Sequence, residues 1–290
     1  MASLVQVTSS IVPVALPEDL EERVIDAVTK AIGPSIGKDS DDFRYLSIAH
    51  CWDVERSRRA AVDSPAEAPA WYSDAQAYWD GIPPTVDGML GGFEVLTKED
   101  IKGSKSFLQK LWKKRPELGR GCAVDCGAGI GRVTKNLLLP LFEKVHLLEQ
   151  SAPLIESAPN FLGKDGATRT TLLCQGMQAF EPSPATYDVV WVQWVIGHLT
   201  DADLVTFLWR CKAALKPGGV ICVKDNTFGT STDENGALEC FCVDREDSSL
   251  TRSTEYFEAI FKFAGLEVLQ KETQLSFPEG LYPVLMYALC

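Results

Sequence analysis

The sequence predicts an α/β fold: a mostly parallel β-sheet with helices on both faces and an antiparallel last strand. Three observations predict it. A short apolar run over 121–126 leads directly into closely spaced glycines and then into a helical pattern from Val133. Short apolar runs then alternate with helical patterns to about residue 224, as in successive βαβ units. Two extended segments, 266–271 and 283–289, close the sequence and predict a hairpin.

The glycine-rich turn is the first element that indicates a ligand. Gly127, Gly129 and Gly131 have no Cβ, so the backbone can adopt positive φ and approach a bound molecule closely. Free N–H groups at the start of the following helix would point at that molecule. A dinucleotide fingerprint has its third glycine three residues after the second, and Arg132 occupies that position. The match to an NAD-binding turn is therefore imperfect.

An acidic residue precedes the turn. Asp125 lies two residues before Gly127, and the resulting Asp-x-Gly-x-Gly-x-Gly pattern resembles the first motif of class I S-adenosylmethionine (SAM) methyltransferases. SAM has no pyrophosphate, and a carboxylate near the turn can lie close to its ammonium and sulfonium charges. The alternative is a glycine-rich turn that binds nothing.

Further elements follow in order. Strands are predicted over 144–149, 171–174, 187–193 and 220–224, and helices over 131–142, 201–215 and 253–264. Ligands of open α/β sheets bind beyond the carboxyl ends of the strands. At the end of the second strand, Glu149 is expected to accept hydrogen bonds from ribose hydroxyls. The other polar or glycine-flanked positions at this edge are Gly176, Met177 and Gln178, where an adenine would lie, and Gln193, Trp194, His198, Asp225 and Asn226.

Residues 1–70 differ from the rest and are predicted to form an extension of unknown role, partly helical, before a domain over 71–290. In the extension we expect a helix from Leu20 to about Ile32, a polar loop over 37–42 and a linker over 64–69. The domain is predicted to begin with a helix capped by Ser73. A glycine-laced apolar loop over 86–93, a helix over 104–113 and a long acidic loop after Asn226 complete the prediction.

Composition narrows the class of protein. The formal net charge of −12 over 290 residues disfavours broad binding to nucleic acid and favours a basic partner or peptide. No apolar run approaches the ~20 residues of a membrane helix, and the first residues resemble neither a signal nor a transit peptide. Nine cysteines without a Cys-x-x-Cys pair, and three histidines, give no metal constellation. We expect reduced cysteines in a cytoplasmic or nuclear protein.

Several long strings are similar to the eukaryotic α-N-terminal protein methyltransferases, which act on proteins that begin Xaa-Pro-Lys or Xaa-Pro-Arg after removal of methionine. The strings are YWDGIPPTVDGMLGG (78–92), DCGAGIGR (125–132), QWVIGHLTD (193–201), KDN (224–226) and DSS (247–249). The resemblance covers roughly 71–290 and implies a class I, Rossmann-like methyltransferase with SAM as cofactor.

The resemblance also implies roles for individual residues. The cofactor would be held by Asp125, Gly127, Gly129, Arg132, Glu149, Gly176, Met177, Gln178 and Gln193, with Trp79, Met89, Leu90 and Gly91 closing over it. Trp194 would pack on the substrate proline, and Asn226 would bind the first substrate residue. Asp247 and His198 would take the proton from the α-ammonium, and Asp244 and Asp247 would face the basic third residue. Ser249, Leu90 and Tyr282 complete the expected peptide site.

Two departures from the family pattern stand out: Glu149 replaces an aspartate, and the loop between Asn226 and Asp244 is longer. Three other functions compete with the peptide methyltransferase. They are a SAM-dependent methyltransferase of a small amine, a SAM-binding scaffold without catalysis and an NAD-dependent dehydrogenase. The 193–194 and 247–249 strings argue against a small amine, and a scaffold has no need of both Asn226 and Asp247. Arg132 disfavours the dehydrogenase.

Overall fold

The computed structural model describes residues 17–58, 70–233 and 235–290. Four helices begin after a capping side chain: Ser47, Thr85, Thr200 and Ser253 each accept a hydrogen bond from a backbone N–H in the first turn of the helix that follows. The helices are α1 (Leu20–Ile32), α2 (Ile48–Ser57), α3 (Ala70–Asp80), α4 (Val86–Met89), α5 (Thr97–Lys114), α6 (Ala152–Thr168), α7 (Asp201–Ala214) and α8 (Thr254–Phe263).

The strands form two sheets. In chain order they are β1 (Ser35–Asp39), β2 (Arg44–Tyr45), β3 (Cys122–Cys126), β4 (Lys144–Glu149), β5 (Thr170–Cys174), β6 (Tyr187–Gln193), β7 (Leu215–Asn226), β8 (Ser231–Thr232), β9 (Leu238–Asp244), β10 (Ser249–Arg252), β11 (Val268–Thr273) and β12 (Val284–Leu289).

The larger sheet has the order β11-β12-β7-β6-β3-β4-β5. The pairs from β7 to β5 are parallel, and β12 is antiparallel to both β7 and β11. The predicted parallel sheet and antiparallel last strand are therefore confirmed, although that strand lies inside the sheet and β11 forms its edge. Every residue of β6 is buried, because apolar clusters cover both faces of the sheet.

Most elements of the larger sheet agree with the prediction, and four local predictions were wrong. The helix expected over 131–142 is shorter than predicted. It begins at Arg132 and continues as a π-helix over Thr134–Leu138, and Pro140 has no N–H to extend it. The strand expected over 220–224 is longer and begins at Leu215, and its first part is irregular, with Gly218 at φ 81°. The helix that was expected to start at Ser73 starts at Ala70, and the Ser73 hydroxyl donates to the Ala70 carbonyl. The loop over 86–93 contains α4.

The smaller sheet was not predicted. Its order is β10-β9-β1-β2, with β8 on β9. The polar loop expected over 37–42 contains most of β1, which pairs in parallel with β9. The acidic loop expected after Asn226 contains β8, β9 and β10. The linker expected over 64–69 lies outside the described residues.

The segment 17–58 packs directly on the domain. Leu20, Val24 and Val28 of α1 are buried in one apolar cluster with residues of α7 and α8. The Trp52 indole of α2 donates to Asp201, the first residue of α7, at 2.8 Å. In the described part of the chain, no helix is long and apolar enough to cross a membrane.

Candidate active site

A pocket opens beyond the carboxyl ends of β3, β4 and β6. This is the edge at which open α/β sheets bind their ligands. The pocket is lined by residues from the glycine-rich turn, from the ends of these strands, and from α3 and α4.

The glycine-rich turn has the conformation that its glycines allow. Gly127 and Gly129 have φ 64° and 55°. A Cβ on Gly129 would lie 2.3 Å from the Met89 Sδ, and a Cβ on Gly127 would lie 2.3 Å from a Val195 methyl carbon. Only glycine fits at either position while the neighbouring side chains stay in place.

Glu149 closes the turn from the end of β4. One carboxylate oxygen accepts the Gly129 N–H and the other accepts the Ser151 N–H, each at 2.8 Å. Burial raises the pKa of Glu149, and these backbone hydrogen bonds oppose the rise. Glu149 lines the pocket and also fixes the backbone of the glycine-rich turn, a second role that spacing alone does not indicate.

Asp125 lies at the end of β3 and is 2% exposed. Its carboxylate accepts the Thr134 hydroxyl at 2.6 Å. Burial raises its pKa from 3.8 to about 6, and the hydrogen bonds from Thr134 oppose that rise. Asp125 thus lines the pocket, and its burial disfavours the ionised carboxylate. A cation in the pocket would favour that ionised form.

A buried polar network lies under the pocket, and no sequence motif indicates its central residue. Its centre is Asp100 of α5, which is 0% exposed. Arg132 contacts one carboxylate oxygen at 2.6 Å, and the other oxygen lies 2.5 Å from the Lys224 Nζ and 2.9 Å from the Gln193 amide nitrogen. Desolvation lowers the pKa of Lys224, and Asp100 opposes that change.

Trp194 lies above this network in a backbone conformation that is unusual for its residue type, with φ 52°. The cationic groups of Arg132 and Lys224 lie 5.4 and 5.9 Å from its ring centre, within the range of a cation–π contact. The Asp225 carboxylate accepts the next two backbone N–H groups, of Val195 and Ile196, at 3.1 and 3.3 Å. These contacts hold the indole at the pocket wall.

His198 is buried at the rim and both of its ring nitrogens are engaged. The Trp79 indole N–H donates to Nε2 at 3.1 Å, so Nδ1 carries the proton and donates to the Ser248 carbonyl at 3.2 Å. Its partner Ser248 belongs to the turn between β9 and β10.

We call residues 244–249 the acidic turn. Asp244 and Glu246 are exposed and Asp247 is half-buried. The Asp247 Oδ1 is buried and has no hydrogen-bond partner among the described residues. Burial raises the pKa of Asp247, and His198 opposes the rise. Burial raises the pKa of Tyr78 on α3, and the carboxylates of the acidic turn raise it further. The negative potential of the turn therefore extends to the pocket side of the molecule.

The structure brings most of the predicted cofactor residues to one pocket. Those that line it are Trp79, Met89, Asp125, Gly127, Gly129, Arg132, Glu149, Gly176, Met177, Gln178 and Gln193, together with Trp194 and His198 of the predicted peptide site. Residues that do not line it are Leu90, Gly91, Asn226, Asp244, Asp247, Ser249 and Tyr282. Leu90 and Gly91 directly follow α4, and Asn226 ends β7.

The pocket fits SAM chemically. A turn that only glycines can form leaves room for close approach, Glu149 and Asp125 supply carboxylates, and Arg132 supplies a guanidinium. SAM carries a ribose, two cationic centres and a carboxylate, so each of these groups has a counterpart in the lining. The individual roles of these residues stay predictions.

Comparison with known proteins identifies the family. A model of the family described as AdoMet dependent proline di-methyltransferase matches residues 67–290. N-terminal Xaa-Pro-Lys N-methyltransferase 1 of Danio rerio is 46% identical over 221 residues, which are 76% of this chain and 95% of that protein. The Homo sapiens enzyme of the same name is 44% identical over 220 residues, again 76% and 95%.

A solved structure extends the likeness beyond this range. A SAM-dependent methyltransferase from Leishmania major is 36% identical with a TM-score of 0.76, and the match covers 89% of this chain and 96% of that one. This share is larger than residues 67–290 alone provide, so the match reaches into the N-terminal segment. SAM is the cofactor, and the chain belongs to the AdoMet-dependent proline di-methyltransferase family.

Proposed function

We propose that this enzyme methylates the α-amino group of proteins whose mature N-terminus is Xaa-Pro-Lys or Xaa-Pro-Arg. The observation that carries the proposal is the placement of the half-buried Asp247 beside His198 at the rim of the cofactor pocket, with its Oδ1 left without a hydrogen-bond partner among the described residues. The names of relatives at 44–46% identity support the same substrate class.

The nitrogen must lose a proton before it can attack. An α-amino group has a pKa of about 8, so at neutral pH it is mostly an ammonium. Asp247 is suited to hold that ammonium and accept its proton, because its Oδ1 is buried, no described residue is its hydrogen-bond partner, and burial raises the pKa of the carboxyl. SAM, when bound, supplies an electrophilic methyl group, and the remaining contribution of the protein is alignment of the amine with it.

His198 orients the site. Its Nε2 holds the Trp79 indole and its Nδ1 holds the backbone of the acidic turn through Ser248. The imidazole thus connects α3 to the turn that carries Asp247. In this arrangement Asp247 accepts the proton, and His198 assists by holding the acidic turn against α3.

Recognition of the peptide is divided between an apolar and an acidic surface. Trp194, fixed by the contacts of Asp225 and by the cations beneath it, offers a rigid indole for the proline ring, which loses little conformational entropy on binding. Asp244 and Asp247 supply carboxylates for the basic third residue. Asn226 ends β7 at the same edge of the sheet and is suited to bind the first residue.

The proposal is tested by mass spectrometry. The purified chain is incubated with SAM and a Ser-Pro-Lys hexapeptide, beside the same peptide with an acetylated N-terminus. We expect stepwise gains of one methylene on the free-amine peptide only, and the highest step gives the number of methyl groups. If neither peptide gains mass while calorimetry shows SAM binding, a small-amine substrate or a non-catalytic role replaces the proposal.

We also propose that the enzyme works in the cytoplasm or the nucleus. All nine cysteines lie in the described residues and all are free, which suits a reducing compartment. Fractionation of cells that express the tagged chain tests this, and recovery in a secreted fraction would contradict it.

A further inference from the structure

The N-terminal segment meets the acidic turn at Arg245. The Arg245 Nε lies on the Asp39 carboxylate, with Asp41 at 3.9 Å. Its Nη2 donates to the Tyr45 hydroxyl at 3.4 Å, and the guanidinium lies 5.5 Å from the Phe43 ring centre. A cation in the middle of the acidic turn is thus enclosed by four side chains from the segment 39–45.

Asp39 is built to hold this arginine. It is 1% exposed, and its Oδ1 accepts the N–H groups of Asp41 and Phe43 at 2.9 and 2.8 Å. Asp39 also pairs with Val243 in the β1–β9 ladder. The backbone therefore fixes one carboxylate oxygen and directs the other, Oδ2, to Arg245.

The acidic turn itself contains carboxylates that could compete with Asp39 for Arg245. Its chain neighbours are Asp244 and Glu246, and Asp247 follows. Asp244, Arg245 and Ser248 line a second, smaller pocket, so open space lies between the guanidinium and the turn. Arginine keeps its charge at any physiological pH. Without Asp39, the arginine would be attracted to the carboxylates that the proposed function assigns to the substrate.

We propose that Asp39 is a positioning residue for substrate selection. By holding Arg245 against the N-terminal segment, it leaves the carboxylates of Asp244 and Asp247 free for the basic third residue of the peptide. The inference rests on the proposed function and adds to it a role for a segment outside residues 67–290, which the family model matches.

The test uses Asp39→Asn, Arg245→Gln and the double variant in the full chain. Asparagine keeps an oxygen for the two backbone N–H groups but presents an amide donor to Arg245. The measured quantity is the ratio of kcat/KM for a Ser-Pro-Lys hexapeptide to that for the matching Ser-Pro-Gln peptide. We expect Asp39→Asn to lower this ratio roughly 3- to 10-fold, chiefly through KM for the Lys peptide, as loss of charge complementarity does.

Removal of the arginine should restore selection. The double variant is expected to regain the wild-type ratio, and Arg245→Gln alone should not lower it. Asp41→Asn serves as the matched control, because Asp41 is exposed and 3.9 Å from Arg245, and its ratio should stay within about twofold of wild type. Thermal melting checks that each variant folds.

Each result decides between selection and a purely structural role. An unchanged ratio in Asp39→Asn, or a double variant as impaired as Asp39→Asn, would overturn the inference. If Asp39→Asn does not fold, Arg245→Gln still tests the inference. A lowered ratio in that variant would overturn the inference, because removal of the arginine should not weaken selection of the Lys peptide. A wild-type enzyme that methylates neither peptide would overturn the proposed function instead, and the inference with it.

Discussion

Asp247 and His198 are neighbours, yet their hydrogen bonds differ in a way that separates their roles. Both His198 nitrogens are occupied, by Trp79 and by the Ser248 carbonyl, whereas the Asp247 Oδ1 has no partner among the described residues. A proton acceptor needs a free lone pair within reach of the substrate. At the residue scale, Asp247 is therefore the group whose loss should affect chemistry most.

We predict that Asp247→Asn leaves SAM binding unchanged but lowers turnover of the Ser-Pro-Lys peptide by about 10²- to 10⁴-fold, the usual effect of losing a general base. Calorimetry measures SAM binding and mass spectrometry measures turnover. Asp26→Asn, an exposed position on α1, is the control. Wild-type turnover in Asp247→Asn would exclude the proposed role.

Asp125 leads to a prediction about pH. Its folded-state pKa of about 6 lies above its ordinary value of 3.8, so the folded protein binds this proton more tightly than the unfolded chain does. The contribution of Asp125 to stability is therefore fully present below about pH 4 and is lost as pH rises through about 6.

Asp125→Asn should remove this dependence, since asparagine is neutral and can still accept the Thr134 hydroxyl. Urea unfolding measured across this pH range should show the variant gaining free energy of unfolding relative to wild type as pH rises. Asp26→Asn again provides the comparison. A difference that does not change with pH would show that burial leaves the Asp125 pKa at its ordinary value.

Motif and strand position predicted the residues of the pocket well, because glycine spacing and strand ends are local properties of a sequence. They did not predict Asp100, although its carboxylate contacts Arg132, Lys224 and Gln193. Asp100 lies in the first turn of α5, where an acid is ordinary and signals no more than a favourable helix dipole. Only the packing of α5 against the sheet shows that it is buried.

At the scale of elements, the difference between local sequence patterns and packing between distant parts of the chain explains why the larger sheet was predicted and the smaller one was not. The strands of the larger sheet are apolar runs that fit βαβ units. β1 reads Ser-Ile-Gly-Lys-Asp, which is typical of a polar loop. Its partner β9 lies about two hundred residues later in the chain, and no local pattern specifies pairing across such a distance.

The β1–β9 pairing leads to a prediction at Gly37. A Cβ at this position would lie 2.3 Å from the ring of Phe241, a residue of β9 that is 1% exposed. Gly37→Ala should therefore lower the free energy of unfolding by about 1–3 kcal/mol, as overpacking does. Gly229→Ala, where nothing lies within 4 Å, is the control in the same urea unfolding experiment. Equal stability of the two variants would show that β1 adjusts without cost.

At the scale of the whole molecule, the N-terminal segment and the catalytic domain share one core. Residues of α1 and α2 are buried in the same cluster as residues of α7 and α8. Asp201 accepts the Trp52 indole and also pairs with Arg252 at 2.8 Å, so one buried carboxylate connects α2, α7 and β10. The relatives from Danio rerio and Homo sapiens match 76% of this chain over 95% of their own length, so about a quarter of this chain lies outside the match.

This shared core predicts that removal of residues 1–58 destabilises this chain. Leu20, Val24, Val28, Tyr45 and Trp52 are each at most 4% exposed, and a fully buried large apolar side chain contributes roughly 1.5–3 kcal/mol. Their combined loss is comparable to the whole stability of a typical domain, about 5–15 kcal/mol. It also exposes the apolar partners on α7 and α8 and leaves the edge of β9 unpaired, which favours aggregation.

We expect the truncated chain to be insoluble or to melt far below the full chain, measured by solubility and thermal unfolding. Removal of residues 1–16 alone, which leaves α1 itself in the chain, is the control. A truncated chain that melts at the same temperature as the full one would show that the catalytic domain is stable without the segment.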